Sequence, residues 1–136
     1  MSNIQQTLSI IKPDAVERNL VEEIKSIFQK NGFEIKDSKK IHITKDEASE
    51  FYKVHQSKPF YNDLCSYLSS GPIFVMILEG ENAVLKNREL MGSTDPKNAS
   101  ENTIRKLYGI SIDKNSVHGS DSPDNAKKEI NFFFKS

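Results

Sequence analysis

Apolar and polar positions along this chain switch between two spacings, and the switches mark out its elements. Thr7 to Ile11 reads as a strand that Lys12 and Pro13 stop. From Leu20 to Lys30, the residues Leu20, Ile24, Ile27 and Phe28 recur at helical spacing, and Asn31-Gly32 closes the segment. Phe33 to Ile43 fits a strand with an irregular, lysine-rich centre. Thr44 is an N-cap, and Glu47 completes a capping box for a helix that carries Ala48, Phe51 and Tyr52. A further helix is predicted from about Phe60 to Leu68, ahead of Ser70-Gly71-Pro72. Ile73 to Leu78 is continuously apolar and predicts a central strand, after which Glu81 to Met91 returns to helix. The periodicity weakens into a long polar segment from Gly92 to about Lys114, and loops of that length are usually functional or disordered. Ser116 to His118 predicts a short strand and Pro123 to Phe134 a final helix. Alternating strands and helices leave both an antiparallel α+β sandwich and a doubly wound sheet open.

Composition narrows the class. With 136 residues, 36% of them apolar and 28% charged, the chain fits one globular domain spanning residues 1–136. Nineteen basic residues balance nineteen acidic ones, so no bulk charge draws the chain to nucleic acid or an anionic membrane. Cys65 is the lone cysteine and cannot form an internal disulfide. The polar start from Met1 to Gln6 has no apolar leader, and no run reaches membrane-spanning length. These features predict a cytoplasmic protein.

Candidate chemistry gathers around Asn115 to Ser122. His118 lies between small and polar neighbours just before a helix start, with Ser122 as N-cap and Pro123 at the first helical position. An imidazole held there can be exposed yet rigid, as a nucleophile must be. The same pattern also describes an ordinary surface turn. Lys12 at a strand end, Arg88 late on a helix and Arg105 in the polar segment each read alone as solvated charges. Together with His118 and the Thr94 hydroxyl they would suit a polyphosphate. Phe60 and Tyr52 read as core, or, for an exposed Phe60, as a surface that stacks on a nucleobase. Glu129, in the final helix, reads either as an exposed charge or as an acceptor for the His118 ring N–H, with Ser120 in the same network. His42 and His55 read as structural or surface residues and Cys65 as a small buried hydrophobe. The chain has no glycine-rich phosphate loop and no Cys/His set at zinc spacing, so a nucleotide site here must use side chains.

Taken in order, these blocks resemble the nucleoside diphosphate kinase family along nearly the whole chain. The resemblance begins at Ser9-Ile10-Ile11-Lys12-Pro13-Asp14-Ala15-Val16 and continues through Phe51-Tyr52, Lys58-Pro59-Phe60 and Ser70-Gly71-Pro72. It then runs through Leu78-Glu79-Gly80, Asn82-Ala83-Val84, Arg88-Glu89-Leu90-Met91-Gly92 and Thr103-Ile104-Arg105 to Phe132-Phe133-Phe134. Asn115 to Ser122 looks like the family's active-site signature. The resemblance implies an α+β, ferredoxin-like sandwich with a four-stranded antiparallel sheet covered by helices. It implies His118 as the phosphate-accepting nucleophile in a ping-pong transfer from a nucleoside triphosphate such as ATP to a diphosphate such as GDP. Lys12, Arg88, Thr94 and Arg105 would hold the phosphates, with Lys12 and Asn115 reaching the ribose. Tyr52 would lie near the His, and Phe60 would stack on the base beside Leu64 and Ile112. Glu129, supported by Ser120, would orient the imidazole. Mg²⁺ would be carried by the nucleotide phosphates rather than by protein ligands, and the chain would form a homo-oligomer, a hexamer in preference to a tetramer.

Two departures stand out. Glu101-Asn102 replaces a common Pro-Gly before Thr103, and Glu22 replaces a common Gly; neither removes a chemical group, although the first alters the rigidity expected of the long segment. A catalytically silent nucleotide sensor and a nucleic-acid-binding role are the competing readings. The first is opposed by the complete set of chemical groups and the second by the balanced charge.

Overall fold

The computed structural model describes residues 4–53, 56–59, 61–93, 95–110 and 116–134. Its centre is a pair of strands buried on both faces. β1 (Ile4–Ile11) sends Leu8 and Ile10 to one side and Thr7, Ser9 and Ile11 to the other, all fully buried. β3 (Ile73–Glu81) alternates in the same way, which explains its unbroken apolar run. β2 (Glu34–Ile41) pairs with β3, and β4 (Val117–Gly119) pairs with β1, giving the antiparallel order β2-β3-β1-β4. This is the four-stranded α+β sheet implied by the family resemblance. The irregular centre expected of β2 is a register shift between Ile35 and Asp37, which leaves Lys36 as the extra residue of a bulge at the sheet edge.

Helices cover both faces. On one side lie α1 (Pro13–Glu17), α2 (Val21–Lys30), α5 (Ala83–Met91) and α6 (Ile104–Tyr108), packed around Ile11, Phe28, Met76 and Val117. On the other lie α3 (Lys45–Phe51), α4 (Tyr61–Leu68) and α7 (Pro123–Phe133), packed around Leu8, Ile10, Cys65, Val75 and Phe133. The Thr44–Glu47 capping box forms in both directions, at 3.1 and 2.9 Å. α5 begins at Ala83, two residues later than its periodicity suggests. β3 extends to Glu81, and Asn82 turns the chain at φ 50°, a left-handed angle that Asn tolerates. Within the polar segment, Thr103 caps the five-residue α6 through a bond from the Lys106 N–H. A single turn of helix is too short for periodicity to reveal. Asn102 there adopts φ 71°, so it supplies the left-handed backbone that glycine would supply. None of the helices among the described residues is long and apolar enough to cross a membrane.

β4 is short but tightly held. Its rungs are Ile11–Val117, Ile10–His118 and Ser9–Gly119. The Lys12 N–H donates to Ser116 O at 2.8 Å just before it, and the Ser120 N–H donates to Leu8 O at 3.2 Å just after it. Because rung partners share a face, His118 lies with Ile10 on the α3/α7 side and Gly119 with Ser9 on the α5 side. α5 approaches Gly119 so closely that an added Cβ would stand 2.3 Å from the Asn87 amide nitrogen and 2.7 Å from Met91 Cε.

Gly119→Ala should therefore destabilise the fold by about 1–3 kcal/mol through overpacking. Gly71→Ala, whose Cβ would meet only Pro13 Cβ at an ordinary 3.6 Å, should stay within about 0.5 kcal/mol of the parent. Thermal unfolding followed by circular dichroism compares the two directly; equal melting temperatures would contradict the close approach of α5.

Candidate active site

β4 and the first turns of α7 build the centre of the site. The His118 Nε2–H donates to Glu129 Oε1 at 3.1 Å, and the Ser120 hydroxyl donates to the same oxygen at 2.9 Å. Ser120 is itself buried and anchored to β1, accepting a 3.4 Å contact from the Leu8 N–H. The carboxylate is an acceptor only, so the proton of the neutral ring sits on Nε2 and the lone pair on Nδ1. Nδ1 has no hydrogen-bond partner among the described residues. His118 and Glu129 are each about one-fifth exposed, at 21% and 20%, so the pair is sheltered but reachable.

Aromatic rings fix the plane of the imidazole. Phe51, the last residue of α3, meets the His118 ring nearly edge to face, with centroids 5.3 Å apart at 73°. Tyr52 stands at 6.3 Å and 85°. Burial, reinforced by nearby Glu129, pushes the Tyr52 hydroxyl well above its ordinary range, so it is protonated at neutral pH. A recess of about 230 Å³ opens at His118, with Phe51, Lys53, Asp121, Lys128 and Glu129 on its walls.

The cations come from α6, from α5 and from the residue just past β1. Arg105 is buried on α6, and its Nη2 donates to Val117 O at 2.9 Å, one residue before His118. Its Nη1 donates to Gly92 O at 3.0 Å, while Nε is buried with no partner. Arg88, exposed on α5, lines with Arg105 and Gly92 a cleft of about 420 Å³. Burial first, then the charge of Arg88, brings the Arg105 guanidinium down to about 10, with Tyr52 acting the other way. No carboxylate forms an ion pair with either arginine among the described residues. Two like charges line this cleft with Glu89 at its wall but not paired to either, an arrangement that suits an anionic ligand. Lys12 is buried at the end of β1, directly beyond the Ile11–Val117 rung.

Of the residues singled out in the sequence, Lys12, Tyr52, Arg105, Ser120 and Glu129 thus lie around the His118 strand, with Arg88 beside Arg105. Leu64 is half-buried against the core on the α3/α4 side. Phe60, Thr94, Ile112 and Asn115 lie outside the described residues, as does His55. The isolated readings of Lys12, Arg105 and Glu129 as surface charges do not hold, because Lys12 and Arg105 are buried and Glu129 faces His118. Cys65 is fully buried and His42 is exposed against Ser69 O at 2.8 Å, both as expected. Sequence reasoning missed the ring contact of Phe51 and the bond from Arg105 to the strand itself. A pair of aromatics at a helix end was the available signal for the first; none pointed to the second.

Comparison with known proteins agrees with this fold. The family described as nucleoside diphosphate kinase matches residues 5–136. The chain is 57% identical over 131 residues to the nucleoside diphosphate kinase of Nitratiruptor sp., covering 96% of each chain. It is 58% identical over 133 residues to that of Campylobacter concisus, covering 98% of this chain and 97% of the relative. Among solved structures, the nucleoside diphosphate kinase of Aquifex aeolicus superimposes with a TM-score of 0.96 at 41% identity, over 98% of this chain and 96% of that one. By fold and by sequence over almost its whole length, the chain belongs to the nucleoside diphosphate kinase family of phosphotransferases.

Proposed function

We propose that the chain moves the terminal phosphoryl group of a nucleoside triphosphate to a nucleoside diphosphate through a phosphohistidine on His118. The observation that carries this reading is the asymmetry of the ring: Nε2 is engaged by Glu129, and Nδ1 has no partner among the described residues. The Nδ1 lone pair forms a bond to the terminal phosphorus as the bond from phosphorus to the bridging oxygen breaks, and the diphosphate departs with that electron pair. The ring gains positive charge as the new bond forms, and the Glu129 carboxylate, fixed by Ser120, lies where it stabilises that charge. A second diphosphate then takes the phosphoryl group back by the reverse path, so one pocket serves donor and acceptor.

Arg88, Arg105 and Lys12 supply positive charge to the phosphates. Their contribution is positioning and electrostatic, as phosphoryl transfer chiefly requires. Arg105 is held by two carbonyls before any ligand arrives, so little reorganisation is needed at the moment of transfer. Tyr52, neutral and packed at the ring, keeps the imidazole oriented. Phe60 with Leu64 and Ile112 serves the base, Asn115 the ribose, and Thr94 the phosphates, on the strength of the family resemblance alone.

The donor set suits a Mg²⁺ ion carried by the nucleotide. No three His, Cys, Asp or Glu side chains converge on a metal site among the described residues. Asp121, on the wall of the His118 recess, is a single carboxylate of the kind such an ion takes beside phosphate oxygens and water. Bound there, the ion would neutralise phosphate charge and leave the nucleophile to the protein.

Incubation with γ-labelled ATP should place an acid-labile, alkali-stable label on the protein that moves to GTP when GDP is added. EDTA should prevent the labelling, and His118→Asn should take no label while keeping its fold; a fully active His118→Asn protein would sink the assignment. Glu129→Gln preserves shape but removes the carboxylate charge, and should slow phosphoenzyme formation by about 10- to 100-fold, as loss of a supporting partner does elsewhere. A rate equal to the parent in stopped-flow measurements would return Glu129 to the surface charges. We further propose a homo-oligomer, with a hexamer as the expected form. Leu107 and Ile110, each more than half exposed at the end of α6, support it. Light scattering should give about six times the 15.4 kDa chain mass, and a monomer mass would reject assembly.

A further inference from the structure

Beside the strand that bears His118 is a second polar cluster that the proposed reaction leaves unused. Asp14 on α1 is only 6% exposed, yet it is fully engaged. Its N–H donates to the Tyr67 hydroxyl at 2.9 Å, and that hydroxyl donates in turn to Oδ1. Oδ2 accepts from the Ser116 hydroxyl at 2.9 Å and from Arg18 Nη2 at 3.0 Å. The same Arg18 nitrogen reaches Ser116 Oγ at 3.2 Å and Tyr108 O at 2.6 Å, and Arg18 Nε donates to Asp14 O at 3.0 Å. One buried carboxylate thus joins α1, α4, the end of α6 and the residue that leads into β4.

That residue has an unusual backbone. Ser116 is fully buried with φ 74°, a left-handed angle that a residue with a side chain rarely adopts. Such an angle persists where the surroundings over-determine it. Here the Ser116 hydroxyl donates to Asp14 and accepts from Arg18, while its carbonyl accepts the Lys12 N–H. Two residues later comes His118. The backbone angle at Ser116 fixes the direction in which the chain enters β4, and therefore where the imidazole stands relative to Arg105 and Glu129.

We infer that Asp14, oriented by Tyr67 and Arg18, is a positioning residue for phosphoryl transfer, locking Ser116 in its left-handed conformation and so setting the place of His118. The inference rests on the proposed role of His118. It differs from a purely structural staple in what it controls. A staple would affect stability alone, whereas a positioning device affects the rate at which a correctly bound phosphate is attacked. Misplacement of a reacting group by about 1 Å is enough to slow a reaction about a hundredfold.

The test is the single-turnover rate of His118 phosphorylation by ATP, set beside the Kd for ADP, in Tyr67→Phe and Asp14→Asn, well below each variant's Tm. The rate should fall by about 10- to 100-fold while the ADP Kd stays within about twofold of the parent. Ser116→Gly tolerates the left-handed angle but lacks the anchoring hydroxyl, so it should slow as well and serves where an Asp14 variant does not fold. Rates within about twofold of the parent, with only Tm lowered, would overturn the inference. So would a loss of ADP affinity that matches the loss of rate. If the parent itself takes no label on His118, the reading of His118 fails and the inference fails with it; a labelled parent with equally fast variants defeats the inference alone.

Discussion

The three rungs between β1 and β4 are the constraint on which the site depends. β4 has only Val117, His118 and Gly119, too few for a strand to hold its own place, and it is secured by backbone bonds to Lys12 and Leu8 just beyond its two ends. Strand pairing fixes side-chain direction with a period of two, so a one-residue slip would turn His118 toward α5 and Gly119 toward Glu129. Nothing on the α5 side can take an imidazole, because the space there is already filled by Asn87 and Met91. Register is thus specified by packing, and the orientation of the nucleophile in the proposed reaction follows from it.

Charge placement follows from the same strand. Arg105 pairs with no acid among the described residues; it is tied to carbonyls at Val117 and Gly92 and set beside Arg88. Burying a guanidinium near a second cation costs free energy, which shows in its lowered affinity for its proton. Carbonyl oxygens stabilise the cation without neutralising it, and a carboxylate in their place would leave less positive charge for a phosphate. Two acidic groups, Glu129 and Asp121, border His118.

Much of this was legible from local rules. The capping box at Thr44, the Ser122-Pro123 helix start and the buried run of β3 are each encoded within a few residues, and each formed as expected. Their order also revealed the family, and with it the sheet. What could not be read locally are contacts between distant residues. Tyr67 and Asp14 are 53 residues apart, and Ser116 and Asp14 are 102 apart, so no spacing rule links them. Glu129 is a middle case. It lies only 11 residues from His118, but whether a helix charge faces solvent or the strand depends on how α7 docks. At Glu101-Asn102, Asn102 takes a left-handed angle of the kind that favours glycine, a backbone state that no hydrophobic pattern announces.

Gly119 connects the packing with the chemistry. The absence of a side chain there lets α5 lie against β4, with Asn87 fully buried over the strand. Arg88 is the next residue on that helix and lines the cleft with Arg105. A methyl group at position 119 would meet the side-chain ends of Asn87 and Met91, which would have to shift to make room. The packing of α5 against β4 is therefore set at this position. The glycine beside His118 matters by what it leaves out, since α5 lies this near β4 only where no side chain stands between them.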